Sequence, residues 1–339
     1  MIDLRTDALS QPTAEMWAAM RAAEVGWAYV GEDASVNELE ARGARLLGKE
    51  AAVLLPTCST ANLVALLTLG TPGRAIALDP TCHVATSEGG GFEHVAGLRA
   101  FPVEARAGCP DPEPVERAIA DARSTGLATS LLVLENSHNN AGGAAVSPER
   151  TAAAAEAAHR LGAAVHLDGA RLCNTAVALG VAPSDLAAPA DTVALSLGKG
   201  LCAPGGALLA GSRELIARAR EKARLIGAGS LHKAGPLAAA GLVALDTMVD
   251  RLAEDNRRAR RLAEGLVPNA GLRVDVCSVQ TNIVVIDMIE PGVDALLPRL
   301  AARGVLGFRR SASRFRFVTH RLIGDAEVAR AVDAVAASL

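Results

Sequence analysis

Short, continuous apolar runs alternate with helical patterns along the first two thirds of the chain, and this alternation limits the folds open to it. We predict seven strands from these runs, at residues 51–55, 75–78, 98–102, 130–135, 163–168, 192–197 and 207–210. Helical patterns lie at residues 36–47, 61–69, 112–122, 148–161 and 213–226. Apolar strands separated by helices predict an α/β fold, with a mostly parallel seven-stranded sheet that helices cover on both faces.

The pattern changes after a helical stretch at residues 236–266. Three later runs, at residues 273–276, 281–287 and 315–319, predict strands of a second, smaller α+β unit. A length of 339 residues also agrees with two packed units. We therefore predict an N-terminal segment and large domain over residues 1–245 and a small C-terminal domain over residues 246–339.

Charge and cysteine content narrow the possible partners and the compartment. The net charge is −3, with 34 basic and 37 acidic residues and no basic stripe, which argues against a nucleic-acid partner. The six cysteines have no C-x-x-C spacing, which predicts reduced thiols in a cytoplasmic protein. The apolar runs are short and interrupted by Gly and Pro, so we expect no membrane span.

Chemically useful side chains follow two of the predicted strands. Lys199 stands between two glycines after the run at 192–197, while Asp168 ends the run at 163–168 and Arg171 follows it. Sites in parallel sheets lie beyond the carboxyl ends of the strands. Pyridoxal phosphate needs a lysine amine for its Schiff base and a carboxylate for its pyridine nitrogen. Asp168 alone would suit a helix N-cap, but together with Lys199 it predicts a pyridoxal phosphate site.

Two arginines and one loop are open to two interpretations each. Arg171 and Arg316 could each bind a substrate carboxylate through two hydrogen bonds or form a structural ion pair, and spacing does not choose between these roles. The loop at 57–62 follows a predicted strand and opens a helix. Backbone N–H groups there suit a phosphate, while its hydroxyls would also suit a simple helix cap.

Histidines follow two further strands. His83 and His138 both come after predicted strands, so we expect them near the same edge of the sheet, where they are candidates for ring stacking and proton transfer. His166 alternates with Asp168 on one strand and is predicted to be a core histidine. Those two residues lack an apparent third ligand, and no metal site is predicted.

These motifs together make the chain resemble the L-threonine aldolase family, within the fold-type I pyridoxal phosphate enzymes and the broader group of beta-eliminating lyases. The similarity extends nearly from end to end, over residues 1–7, 31–40, 134–143, 166–171, 197–201 and 316–320. It implies a lyase of amino acid metabolism that cleaves the Cα–Cβ bond of L-β-hydroxy-α-amino acids, such as L-threonine and L-allo-threonine, to glycine and an aldehyde.

The resemblance also implies a role for each candidate residue. Lys199 would form the Schiff base, Asp168 would hold the ring nitrogen, and His83 would stack on the ring. His138 would lie near the substrate hydroxyl. The remaining roles are phosphate binding by Cys58 and Ser59, and binding of the substrate carboxylate by Thr6, Arg171 and Arg316. Family members are homodimers or homotetramers whose sites lie at the subunit interface.

Several positions depart from the family pattern near the expected site, including the following three. Cys58 replaces a glycine of the phosphate loop, Ala8 lacks a hydroxyl, and Val30 stands where the family has a tyrosine. The changes around Ala8, Val30 and Ala85 motivate one alternative on the same scaffold, in which another amino acid undergoes β-elimination or racemisation at Cα. A second alternative is a protein that binds pyridoxal phosphate without turnover.

Overall fold

The structure, a computed structural model, describes residues 1–229 and 231–339. Its strands in chain order are β1 (Ile2–Asp3), β2 (Ala51–Leu55), β3 (Ala75–Leu78), β4 (Arg99–Pro102), β5 (Thr129–Glu135), β6 (Ala164–Asp168), β7 (Thr192–Ser196), β8 (Ala207–Gly211), β9 (Leu272–Arg273), β10 (Ile283–Met288), β11 (Val305–Leu306), β12 (Phe308–Arg309) and β13 (Arg314–Val318). Its helices are α1 (Ala14–Ala22), α2 (Ala34–Leu46), α3 (Cys58–Leu69), α4 (His83–Thr86), α5 (Gly91–His94), α6 (Pro112–Ser124), α7 (Pro148–Arg160), α8 (Leu172–Leu179), α9 (Pro183–Ala187), α10 (Arg213–Leu225), α11 (Gly235–Thr247), α12 (Leu252–Leu266), α13 (Val293–Ala302) and α14 (Asp325–Ala336).

The large sheet has seven strands in the order β2-β8-β7-β6-β5-β3-β4, which confirms the predicted α/β fold. Each predicted strand of this sheet is present, with ends that differ by at most one residue. All neighbours are parallel except β8, which runs antiparallel to both β2 and β7. The connection from β7 to β8 is short, and parallel neighbours would need a longer crossover. Strand β5 is buried along its whole length, as expected for a sheet covered on both faces.

A second, antiparallel sheet has the order β12-β13-β10-β9. Along β13 the side chains alternate: Phe315 and Phe317 pack edge to face in a separate core, at 5.3 Å between ring centroids. Arg314 and Arg316 therefore lie on the opposite face, because successive strand residues point to opposite sides. The first strand, β1, joins this region by pairing with β11 in parallel.

Two sequence predictions in this region were inaccurate. The stretch predicted as one helical region at 236–266 forms two helices, α11 and α12, with a break between them. The two helices pack against different neighbours, since α11 contacts α1 and α2 while α12 contacts α14 and α8. The run at 273–276 continues as a strand only to Arg273. Beyond it the Asp275 side chain accepts a hydrogen bond from the Cys277 N–H, which stabilises a short 3-10 turn instead of a strand.

The helices of the described residues are also short. The longest, α12, has 15 residues and carries many charges. None of the helices in this part of the chain has both the length and the apolar character that crossing a lipid bilayer requires.

Candidate active site

A cavity of about 270 Å³ lies at the carboxyl edge of the large sheet. Five of the nine predicted site residues line it: Lys199 in the β7–β8 connection, Asp168 at the end of β6, His83 at the start of α4, and Cys58 and Ser59 at the start of α3. The remaining lining residues are Ala8, Pro56, Thr57, Asn62, Glu88, Ala170, Ser196, Gly198, Gly205 and Gly206. Parallel strands deliver their carboxyl ends to one edge, so residues distant in sequence meet there.

Asp168 is almost completely buried at the inner end of this cavity. Its carboxylate accepts hydrogen bonds from the Ala170 N–H at 3.0 Å and from Asn62 Nδ2 at 2.9 Å. The Cys58 thiol lies 3.8 Å from Asp168 Oδ1. These donors satisfy a carboxylate that burial would otherwise penalise. A fixed, buried acid beside a lysine is the arrangement that a protonated pyridine nitrogen requires.

His166 holds the Asn62 amide in place from behind. Its Nε2 lies 3.0 Å from Asn62 Oδ1 and its Nδ1 lies 2.9 Å from Thr192 Oγ1. Burial lowers the pKa of His166 to about 4, so the ring is neutral at pH 7. The amide oxygen can only accept, so Nε2 carries the proton and Nδ1 accepts from Thr192. His166 is thus the core histidine that the sequence predicts, and it orients Asn62 Nδ2 toward two carboxylates.

The second of those carboxylates belongs to Glu88, which also binds His83. Glu88 Oε1 lies 2.8 Å from Asn62 Nδ2 and 2.8 Å from His83 Nδ1. The hydrogen bond to Glu88 raises the pKa of His83 above its ordinary value. The backbone N–H of His83 donates to Glu135 Oε2 at 2.7 Å, which fixes the start of α4. Since Nδ1 is bound, Nε2 is the nitrogen of His83 that remains available to the cavity.

The start of α3 presents backbone donors at the same cavity. Thr57 Oγ1 accepts from the Thr60 N–H at 3.0 Å, and the Thr57 carbonyl accepts from the Ala61 N–H. The N–H groups of Cys58 and Ser59 have no acceptor among the described residues. The helix cap therefore does not exclude the predicted phosphate binding, because the cap uses only the later N–H groups.

The two arginines differ sharply in their partners. Arg171 donates from Nε and Nη2 to the two oxygens of Asp7, both at 2.7 Å, in a buried ion pair. Arg316 donates from Nη1 to Asn139 Oδ1 at 2.6 Å, while its buried Nε has no partner. Burial, followed by the charges of Arg171 and Arg310, lowers the pKa of Arg316 to about 10. Arg316 is therefore the less fully paired of the two guanidinium groups, and neither arginine is among the residues that line this cavity.

His138 and Thr6 lie outside the cavity. The His138 ring is buried, with Nε2 3.1 Å from Asp79 Oδ2, and its Nδ1 accepts from the Ala141 N–H at 3.2 Å. Burial would lower the pKa of His138, but contact with Asp79 and the charge of Glu135 raise it. The Thr6 hydroxyl accepts from the Ala8 N–H at 3.2 Å, where it caps a short 3-10 turn.

Sequence reasoning missed three residues that connect the site. Asn62 joins Asp168 to Glu88, and Glu88 joins Asn62 to His83. Asn139 Oδ1 accepts from both Arg316 and, at 3.4 Å, Arg171. Asn62 and Asn139 each lie within a motif already singled out, and Glu88 follows His83 by five positions. Most of their partners, however, lie far away in the sequence, so spacing alone gave no reason to choose them.

Comparisons with known proteins identify the family of the chain. Residues 3–289 match the family model described as beta-eliminating lyase. The chain is 36% identical to low-specificity L-threonine aldolase 1 of Arabidopsis thaliana, over 96% of this chain and 93% of the relative. It is 37% identical to the low specificity L-threonine aldolase of Escherichia coli K12, over 94% of each.

A solved structure extends the agreement to the fold. Leishmania major threonine aldolase superposes with a TM-score of 0.82 at 18% identity, and covers 99% of this chain and 98% of its own. At 18% identity this superposition shows only that the two proteins share a fold. The family is shown by the sequence matches. The chain belongs to the threonine aldolase group of the beta-eliminating lyase family, as its motifs predicted.

Proposed function

We propose that this protein is an aldehyde-lyase that cleaves the Cα–Cβ bond of L-β-hydroxy-α-amino acids, of the L-threonine and L-allo-threonine type, to glycine and an aldehyde. The observation that carries the proposal is the pairing of Lys199 with the buried Asp168 at one cavity. Membership of the threonine aldolase group supports the same reaction class.

The cavity fits pyridoxal phosphate, the cofactor on which members of this family depend. Lys199 would hold it through Nζ, Asp168 would face the ring nitrogen, and the free N–H groups of Cys58 and Ser59 would bind the phosphate. The Cys58 side chain contacts Asp168, so replacing the family's glycine leaves those N–H groups open. When bound, the cofactor supplies a ring that accepts electrons from the substrate Cα.

The protein's own residues would then position the substrate and move one proton. Arg316 would bind the α-carboxylate with its unpartnered donors, while Arg171 orients Asn139 and is itself held by Asp7. His83 would take the proton from the β-hydroxyl oxygen. It would do so through Nε2, because its Nδ1 is bound to Glu88. This role suits His83 better than His138, whose ring is buried and outside the cavity.

The test is product identification with purified, cofactor-loaded protein. Incubation with L-threonine and L-phenylserine should give glycine plus acetaldehyde or benzaldehyde, identified by mass. Lys199→Ala should abolish this turnover, and Lys222→Ala, on α10 and away from the cavity, should not. Ammonia with a keto acid would point to β-elimination, and an epimer without cleavage would point to racemisation. Aldehyde release by Lys199→Ala would overturn the assignment.

We further propose a homo-oligomer, a dimer or tetramer. Trp17, Trp27 and Tyr29 are 46%, 61% and 45% exposed, although the whole chain has only eight aromatic residues. Exposed aromatics of this kind are typical of subunit interfaces. Light scattering of the purified protein would give the mass, and a monomer would refute this proposal. The predicted cytoplasmic location stays a prediction.

The domain division also stays a proposal, with a boundary near residue 246. Helix α12 contributes Ala259, Leu262 and Leu266 to the core of the small unit, which supports a boundary between α11 and α12. Ile2 and Leu4 pack in that same core. Limited proteolysis should therefore cut the connection between α11 and α12, at residues 248–251, while the N-terminal strand stays bound to the small unit.

A further inference from the structure

A second cavity, of about 310 Å³, lies beside Arg316 on the face of the small sheet opposite its phenylalanine core. Strands β10 and β13 form its base, where Val285 pairs with Arg316 and Asp287 pairs with Arg314. Residues 310–313, the turn between β12 and β13, form one side. Two asparagines that follow β5 form the other. Its lining residues are Asn139, Asn140, Val285, Asp287, Arg310, Ser311, Ser313, Arg314 and Arg316.

The lining of this cavity carries an excess of positive charge. Three guanidinium groups face one carboxylate. Arg314 neutralises that carboxylate, since it donates to both oxygens of Asp287 at 2.6 and 2.9 Å. Arg310 and Arg316 make no ion pair with any acid in the described part of the chain. Two guanidinium charges are thus uncompensated, and they are close enough for Arg310 to lower the pKa of Arg316.

Arg310 is exposed, but its position is defined by neighbouring groups. Its backbone N–H donates to the Arg314 carbonyl at 2.8 Å, and its guanidinium donates to Asn140 Oδ1. Asn140 Nδ2 in turn donates to the Thr81 carbonyl at 2.7 Å and lies 3.2 Å from Thr86 Oγ1. Arg310 is thus tied to the segment that carries His83.

Asn139, which lines the second cavity, is linked through Glu135 to His83, which lines the first. Asn139 accepts from Arg316 through its side chain and donates its backbone N–H to Glu135 at 2.8 Å. Glu135 also accepts from the His83 N–H. Hydrogen bonds through Asn139 and Asn140 thus connect Arg316 and Arg310 to the segment that carries His83.

We propose that Arg310 forms a second anion subsite and that the preferred substrates are β-hydroxy-α-amino acids with an acidic group on Cβ. This inference rests on the proposed function. Arg316 binds the α-carboxylate, and Arg310 binds the second anion, since an arginine fork matches a carboxylate in charge and geometry. The simplest such substrate is 3-hydroxyaspartate.

Its cleavage balances without an oxidant or reductant. The Cα–Cβ bond breaks and its electron pair stays with Cα. The hydroxyl oxygen loses its proton as the C=O bond of glyoxylate forms, and Cα takes a proton to give glycine. The glyoxylate product keeps the carboxylate that Arg310 binds.

The first experiment compares kcat/KM of the cofactor-loaded protein for L-3-hydroxyaspartate and L-threonine at low ionic strength. We expect kcat/KM for L-3-hydroxyaspartate to be at least ten times that for L-threonine. In Arg310→Gln this ratio should fall tenfold. Arg309→Gln is the matched control, because this neighbouring arginine pairs with Asp294 outside the cavity. A ratio at or below one, or an unchanged ratio in Arg310→Gln, would overturn the proposal.

A binding measurement separates this inference from the proposed function. Malonate and succinate should raise the melting temperature of the protein more than acetate at equal ionic strength, and Arg310→Gln should remove the difference while Arg310→Lys retains part of it. If neither amino acid yields glycine, the proposed function fails. The melting-temperature shifts then test the anion subsite at Arg310 independently. Equal shifts for acetate and succinate would refute that subsite.

Discussion

Replacing Asp7 tests whether the buried ion pair with Arg171 holds the N-terminal segment against the rest of the protein. Asp7 is fully buried and receives two hydrogen bonds from Arg171 and a third, at 3.0 Å, from Asn282 Nδ2. Asp7→Ala leaves the Arg171 guanidinium buried without its counter-ion. Breaking a buried pair in this way costs about 3–5 kcal/mol.

That cost converts into a melting temperature. Unfolding entropy of about 2.1 cal/mol/K per residue gives about 0.7 kcal/mol/K for a chain of this length. Asp7→Ala should therefore melt about 4–7 °C below the parent in differential scanning calorimetry at pH 7. Asp3→Ala is the matched control, because Asp3 pairs with Arg5 in the same segment but at the surface. Exposed pairs contribute at most about 1 kcal/mol, so its shift should stay within about 1–2 °C.

The pH dependence gives the same prediction a second readout. Burial would raise the pKa of Asp7, but the charge of Arg171 and its hydrogen bonds hold that pKa well below the ordinary 3.8. When folding lowers the pKa of an acid, the ionised group stabilises the folded protein at every pH above its unfolded-state pKa. That stabilisation is lost as the pH falls through the folded-state pKa. The difference between parent and Asp7→Ala should thus be constant from about pH 5 to 8. Equal melting temperatures for Asp7→Ala and Asp3→Ala would refute the reasoning.

Three further predictions concern the cavity. Asn62→Ala removes a donor to Asp168, so pyridoxal phosphate should bind about tenfold more weakly in an absorbance titration, and unchanged affinity would count against this role. Glu88→Gln removes the hydrogen-bonded charge that raises the pKa of His83. That pKa should fall toward 6.5 by NMR and the acid limb of kcat/KM should move to lower pH, whereas an unmoved limb would exclude His83 as the base. Gly169→Ala would place a Cβ 2.6 Å from a backbone carbonyl of β7, so it should lower the unfolding free energy by about 1–3 kcal/mol in calorimetry, and a neutral effect would contradict the close packing.

Much of the architecture was predictable because it depends on local patterns. Strands of the large sheet are buried on both faces, so they read as continuous apolar runs, and their ends could be placed within a residue. The reversed direction of β8 was not predicted; it follows from the short connection after β7. In the small unit the prediction was weaker, because Asp275 ends a strand by a hydrogen bond that apolar content does not indicate.

The grouping of Lys199, Asp168 and His83 followed from one rule, namely that parallel strands bring their carboxyl ends to the same edge. The roles of the two arginines could not follow from any local rule. Arg171 pairs with Asp7, which lies 164 positions from it in the sequence. Arg316 is oriented by Asn139, which lies 177 positions from it. Composition and spacing specify which chemical groups a strand end carries. Whether such a group is neutralised or left free depends on which distant side chain packs beside it, and that contact exists only in the folded chain.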